Sequence, residues 1–137
     1  MCSLTLKEVV RYYNARGGQV FCCLIDATKA FDRVRFDKLF ELLIDRGLPK
    51  CIVRLLIDMY SRQRVRTKWG RSVSDSFNVV NGVRQGGVLS PILFAIYIDV
   101  LLKKLENSGY GCHVGHEFFG ALGSADDITL LSPTVYA

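Results

Sequence analysis

The sequence has no Cys-x-x-Cys pair, no internal repeat, no low-complexity segment and no apolar stretch long enough to cross a bilayer. Its five cysteines, Cys2, Cys22, Cys23, Cys51 and Cys112, are odd in number and scattered. That pattern argues against a zinc site or a disulfide framework and for free thiols in a reducing compartment. The only two histidines, His113 and His116, are spaced His-x-x-His in a glycine-containing connection with no other ligand cluster nearby, so they read as ordinary loop residues. The N-terminus lacks a charged segment followed by an apolar core, so no secretory signal is expected there. The longest apolar stretch, 88–102, is interrupted by Ser90, Pro91 and Asp99. An intracellular, soluble protein is the expectation.

What is present is a globular composition. Half of the 137 residues are hydrophobic, enough for a real core in one domain or part of one, and this excludes a disordered chain. The net charge is +5, with arginine concentrated between Arg54 and Arg84. A basic balance of this size is compatible with a polyanionic partner.

Along the chain, Leu4, Leu6, Val9, Val10 and Tyr13 predict a short helix ending in the turn-rich run 14–18. Residues 20–25 form a continuous apolar run of strand length, the pattern of a strand buried on both faces, and it ends in Asp26. Asp32 is expected to cap the next helix, which carries Phe36, Leu39, Phe40, Leu43 and Ile44 and stops at Gly47 before Pro49. A second helix over 50–60 carries Ile52, Val53, Leu55, Leu56 and Met59, and both stripes read as core-facing. Between 62 and 80 two short strands flank a turn at 70–74. Arg62, Arg64, Arg66, Lys68 and Arg71 stud this hairpin, and the alternating cations would line one face, suited either to a phosphate backbone or to a solvated edge. A loop with three glycines at 81–89 then leads into a helix starting near Ser90-Pro91, with Ser90 as N-cap and Pro91 at the first helical position.

The stretch Gly-Ser-Ala-Asp-Asp-Ile-Thr-Leu-Leu, 123–131, places two adjacent carboxylates at a turn between apolar runs. It reads as a β-hairpin with Asp126 and Asp127 at or just past its tip. Two like charges side by side are unfavourable without a cation between them, and Mg²⁺ is the usual one where phosphates are handled. If the Asp26 strand neighbours this hairpin in one sheet, three carboxylates converge at one end. Such a cluster suits two metal ions, one activating a 3′-hydroxyl and one binding a triphosphate.

Three motifs then carry a resemblance: Ile-Asp-Ala-Thr-Lys-Ala-Phe-Asp-Arg-Val at 25–34, Gly-Val-Arg-Gln-Gly-Gly-Val-Leu-Ser-Pro-Ile-Leu-Phe at 82–94 and Ala-Asp-Asp-Ile at 125–128. In order and spacing they resemble the palm motifs of reverse transcriptases of non-LTR retrotransposons, over nearly the whole chain. The resemblance implies an RNA-directed DNA polymerase palm working on an RNA template, a DNA primer and a dNTP with Mg²⁺, or Mn²⁺ in its place. It implies Asp26, Asp126 and Asp127 as catalytic metal ligands. Ala27, Phe31 and Gln85 would contact the nucleotide, with Phe31 under the sugar where it would exclude a 2′-hydroxyl. Arg84, Gln85, Gly86, Arg64 and Arg66 would contact template and primer.

Ser124 departs from the family pattern, which usually has an aromatic residue there. The upstream fingers segments and the thumb are missing, so residues 1–137 are expected to be a single partial polymerase domain, the palm with part of the fingers, inactive alone. The expected fold is α/β (α+β): a small antiparallel sheet from the Asp26 strand and the 118–131 hairpin, helices on one face and the basic hairpin beside it. Two other readings compete. One is a non-catalytic retroelement remnant that binds nucleic acid through the basic hairpin. The other is a different nucleotidyl transferase or cyclase on a similar palm, which leaves 84–91 unexplained.

Overall fold

Apolar periodicity sets the element order. In a computed structural model, which describes residues 2–27 and 29–135 except the Cys2 side chain, the chain begins with helix α1 (Cys2–Asn14) and strand β1 (Phe21–Asp26). A 3-10 turn over Phe31–Arg33 precedes helices α2 (Phe36–Asp45) and α3 (Lys50–Ser61). Four two-residue strands follow: β2 (Arg64–Val65), β3 (Lys68–Trp69), β4 (Ser72–Val73) and β5 (Phe77–Asn78). Helix α4 (Ser90–Glu106), β6 (His113–Val114), β7 (Glu117–Phe118), β8 (Ala121–Ser124) and β9 (Asp127–Ser132) complete the order. The architecture is mixed helix and small antiparallel sheets. No helix among the described residues is long and apolar enough to cross a membrane. Thr28 of the first motif and the Cys2 thiol lie outside the described residues; Cys22, Cys23, Cys51 and Cys112 are free thiols.

The chain forms two compact units, Met1–Thr28 with Ile98–Ala137, and Lys29–Tyr97. The first unit is organised by a three-stranded antiparallel sheet in the order β1-β9-β8. Val9 of α1 is buried with Cys112 and Leu131, with Leu6, Tyr13, Phe119 and Leu122 packed around them. Tyr13 ties α1 to the β6 strand, its hydroxyl donating to the His113 carbonyl and accepting from the His113 N–H, both at 3.0 Å. Side chains alternate across a sheet, so α1 lies on the Leu131 face. On the other face Leu102 of α4 lies 3.4 Å from where Gly123 would carry a Cβ. Helices therefore reach both faces of the sheet, where one covered face was expected.

The larger correction concerns β1. All six of its residues are exposed, Leu24 by 77% and Phe21 and Ile25 by about two-fifths each. The apolar run predicted a strand buried on both faces. It is instead an edge strand whose one strand neighbour among the described residues is β9, and an edge in a three-stranded sheet has too few surroundings to be covered twice.

In the second unit α2 and α3 pack against each other, with Leu39, Leu43, Val53, Leu56 and Tyr60 buried and Phe36 tilted against Tyr60 at 5.4 Å. Gly47, at φ 75°, ends α2 as the stop signal predicted. Its N–H donates to the Ile44 carbonyl and the Leu48 N–H to the Leu43 carbonyl, the reciprocal pattern of a Schellman cap. The stripes were drawn too wide. Ile44, Ile52, Leu55 and Met59 are all substantially exposed, because a helix with neighbours on one side buries only the residues within its contact arc. Asp32 does not cap α2; Arg35 holds that position without a side-chain bond, and Asp32 sits inside the 3-10 turn.

Candidate active site

The first group of site residues belongs to the first unit. β1 and β9 pair antiparallel with Asp26 directly opposite Asp127, and Asp127 is also opposite Ser124 across the β8–β9 hairpin. Ala125 and Asp126 form the two-residue turn. Directly paired residues in such a ladder have Cα atoms about 4.5–5.5 Å apart, so residues a hundred positions apart in sequence are brought side by side. Ala125 holds φ 55°, in the left-handed region. For an alanine this costs about 1–2 kcal/mol, a strain that the flanking β8–β9 ladder holds in place.

Asp26 and Asp127 are exposed and Asp126 is half-buried. Like charges directly opposite on a sheet repel, and among the described residues no lysine or arginine pairs with any of the three. That donor set, hard carboxylate oxygens without a protein counter-ion, fits a magnesium-type cation. Among the described residues no set of three His, Cys, Asp or Glu side chains is gathered in metal-ligating arrangement; the backbone register brings together the Asp26–Asp127 pair, with Asp126 adjoining it in the turn.

The second group lies in the second unit. Arg84, Gln85, Gly86 and Gly87 form a turn closed by the Gly87 N–H donating to the Arg84 carbonyl at 2.9 Å, with Gly86 at φ 78° in the third position as a type II turn requires. Arg84, Gln85 and Gly86 are exposed. Ser90 is buried, and its hydroxyl donates back to the Arg84 carbonyl instead of capping α4. The expected N-cap is thus a brace: Gly87 has no room for a side chain because that hydroxyl lies 2.7 Å from its Cβ position.

The same loop is latched to the first motif. The Gly82 N–H donates to the Val34 carbonyl and the Val83 N–H to the Phe31 carbonyl, each at 2.8 Å. Gln85 Nε2 donates to Asp32 Oδ1 at 3.5 Å, and a cavity of about 270 Å³ is lined by Asp32, Gln63, Asn81, Gly82, Arg84 and Gln85. Phe31 is half-buried and stacked on Phe94 at 4.6 Å and 22°, so its ring has one face committed to packing. Ala27, in the first unit, is half-buried. Asp32 and Gln63 were not read as site residues from sequence; the two-motif latch that brings Asp32 to Gln85 has no periodic signal. His113 lies in strand β6, paired with Phe118, and His116 in the turn of the small β6–β7 hairpin, so His113 is a strand residue where a loop was expected.

The third group, Arg64 and Arg66, lies on a hairpin in the second unit. Arg64 pairs with Asn78 and Val65 with Phe77, while Lys68 pairs with Val73 and Trp69 with Ser72. Between these two registers Arg66 faces both Asp75 and Ser76, one extra residue on the return strand, which is a β-bulge. Arg64 Nε donates to Asn78 Oδ1 at 3.2 Å.

Comparison with known proteins follows this geometry. Residues 2–136 match the family model described as reverse transcriptase (RNA-dependent DNA polymerase). The chain is 33% identical over 130 residues, 94% of its length, to a Retrovirus-related Pol polyprotein from type-1 retrotransposable element R2 of Nasonia vitripennis. It is 31% identical over 126 residues, 92% of its length, to the corresponding polyprotein from type-2 element R2DM of Drosophila melanogaster. A probable RNA-directed DNA polymerase from transposon X-element of Drosophila melanogaster is 31% identical over 93 residues, 66% of the chain and 10% of that protein. The chain spans 12% of the length of each of the first two.

Proposed function

Because the chain belongs to the reverse transcriptase (RNA-dependent DNA polymerase) family, we propose that it is the palm portion of a non-LTR retrotransposon polymerase, which joins a dNTP to a DNA primer 3′-hydroxyl on an RNA template. The observation that carries this reading is the register that sets Asp26 opposite Asp127 with Asp126 in the adjoining turn. These three carboxylates hold the divalent cations. Magnesium, or manganese in its place, supplies positive charge that favours ionisation of the primer hydroxyl and neutralises the triphosphate and the departing pyrophosphate.

The remaining residues position substrate. Gln85 and Gly86, exposed at a rigid turn, lie against the nascent base pair, with Arg84 on the strand's phosphates. Phe31, braced on Phe94, borders the sugar of the incoming nucleotide, and its ring excludes a 2′-hydroxyl; Ala27, beside Asp26, takes a nucleotide contact from the family resemblance alone. Residues 1–137 act as one partial polymerase domain that does not extend a primer alone. The test is primer extension by a full-length polymerase carrying this palm: Asp126→Asn abolishes extension, and retained extension sinks the assignment.

A second reading is favoured by one observation, that the hairpin bearing Arg64, Arg66, Lys68 and Arg71 is exposed along its length. A non-catalytic remnant binding nucleic acid through that hairpin would keep its RNA affinity after loss of all three carboxylates, and it is abandoned if the parent extends a primer.

A further inference from the structure

Asp32 carries a carboxylate that the fold itself does not use. Its backbone is fixed by the 3-10 turn, in which the Asp32 N–H donates to the Lys29 carbonyl at 3.0 Å and the Arg33 N–H to the Ala30 carbonyl at 3.2 Å. Neither this turn nor α2 has a side-chain cap bond, and no ion pair among the described residues includes Asp32. The carboxylate's partner is Gln85, 53 positions away, whose Nε2 donates to Oδ1 at 3.5 Å.

Both side chains are rooted independently of that contact. The Gly82 and Val83 N–H groups bond the Val34 and Phe31 carbonyls, and the turn at 84–87 is closed by its own backbone bond. Val34 and Val83 are buried beside this latch. A separation of 3.5 Å is long for a hydrogen bond of full strength, and Asp32 and Gln85 are both exposed, so the contact adds little to stability. What it sets is direction. An ionised carboxylate accepts and cannot donate, whereas a glutamine amide has one end of each kind. Only Nε2 can face Asp32, which leaves Oε1 and the second N–H for a ligand in a fixed order. Without the carboxylate the amide is free to turn over, and donor and acceptor change places.

We propose that Asp32 is a positioning residue that fixes the order in which the Gln85 amide presents its acceptor and donor to the nascent base pair. The role rests on the polymerase reading, in which Gln85 lies against that pair. Base edges carry donors and acceptors at set places, so an amide in the wrong order sets like against like. An amide that must be ordered at each binding event weakens binding roughly two- to ten-fold, the cost of immobilising one rotamer-rich side chain.

The contact is read first in the folded 137-residue chain by ¹H–¹⁵N spectroscopy. One Gln85 Nε2 proton, identified by its absence from Gln85→Ala, is expected to shift in Asp32→Ala while backbone signals of α2 and α3 stay in place. The role is read in a full-length polymerase carrying this palm. Asp32→Ala is expected to raise the dNTP KM roughly two- to ten-fold at near-constant kcat, and Asp32→Asn to do the same, because it keeps the shape of the side chain but offers either end of an amide. Discrimination against ribonucleotides, assigned to Phe31, stays as in wild type. In a Gln85→Ala background Asp32→Ala costs nothing more.

An unmoved Gln85 signal, a wild-type KM in Asp32→Asn, lost ribonucleotide discrimination or a loss that persists in full on top of Gln85→Ala each overturns the positioning role and leaves the polymerase reading standing. A wild-type polymerase that extends no primer overturns the polymerase reading and the positioning role with it.

Discussion

Replacing Gly82 by alanine tests the latch between the first two motifs. Gly82 has φ 91°, and a Cβ there would lie 2.8 Å from the Asp32 Cα and 2.9 Å from the Asp32 carbonyl oxygen. Both are backbone atoms, so no side chain can swing aside. The left-handed conformation costs an L-residue about 1–2 kcal/mol, and the forced separation costs about 1–3 kcal/mol more as overpacking. The sum of about 2–5 kcal/mol is a large share of a typical domain stability of about 5–15 kcal/mol. With a urea dependence of about 2 kcal/mol per molar, the unfolding midpoint falls by roughly 1–2.5 M. Gly86→Ala is the control: its φ is 78°, but nothing lies within 4 Å of its Cβ position, so only the conformational part, about 1–2 kcal/mol, is lost. Urea titration followed by far-ultraviolet dichroism reads both. If Gly82→Ala costs no more than Gly86→Ala, the close approach of the 82–83 loop to Asp32 is wrong, and with it the bracing of Gln85.

Asp26→Asn relieves the cross-strand repulsion with Asp127 and is expected to raise stability in chelator by about 0.2–1 kcal/mol, while the variant gains nothing from added Mn²⁺; urea midpoints with and without metal check both. Leu43→Ala, at a side chain with no exposed surface, should lower stability by about 2–5 kcal/mol in the same titration. Burial pushes the Cys112 thiol above its ordinary pKa, partly offset by its bond with Tyr13. The unfolded chain therefore loses that proton first, so this contribution is full below the ordinary thiol pKa and is lost as pH rises through the raised one. The stability advantage of wild type over Cys112→Ala should shrink across that alkaline range. A thiol reagent at neutral pH should modify exposed Cys22, Cys23 and Cys51 well before Cys112.

Much of the arrangement was legible because local rules and the global fold agreed. Gly47 and Pro49 announced the end of α2, the Ser-Pro pair marked the start of α4 to within a residue, and the apolar runs around 125–126 located the hairpin whose turn they flank. The Asp26 strand and that hairpin were expected in one sheet and are its three strands. Burial was less legible, because a run such as 20–25 records how apolar a strand is and not how many neighbours it has. Helical stripes likewise set a direction but not the width of the contact, hence exposed Leu55 and Met59 beside buried Leu56. Asp32 followed the chemistry of a cap yet sits in a 3-10 turn, and Ser90 turned its hydroxyl backward to Arg84. Asp32 meets Gln85, 53 positions away, which no local pattern encodes, while the Ser90 hydroxyl follows a turn only six residues upstream that its Ser-Pro signal does not reveal. The bulge opposite Arg66 is a one-residue mismatch between two short strands and leaves no trace in composition.

The central claim is that residues a hundred positions apart form one metal site, and Mn²⁺ binding to the folded chain, followed by electron paramagnetic resonance, tests it most directly. The account predicts that wild type binds Mn²⁺ and that Asp26→Asn and Asp126→Asn, each still folded, lose the site. A folded wild type that leaves all the Mn²⁺ free, or variants that bind as wild type does, would contradict it.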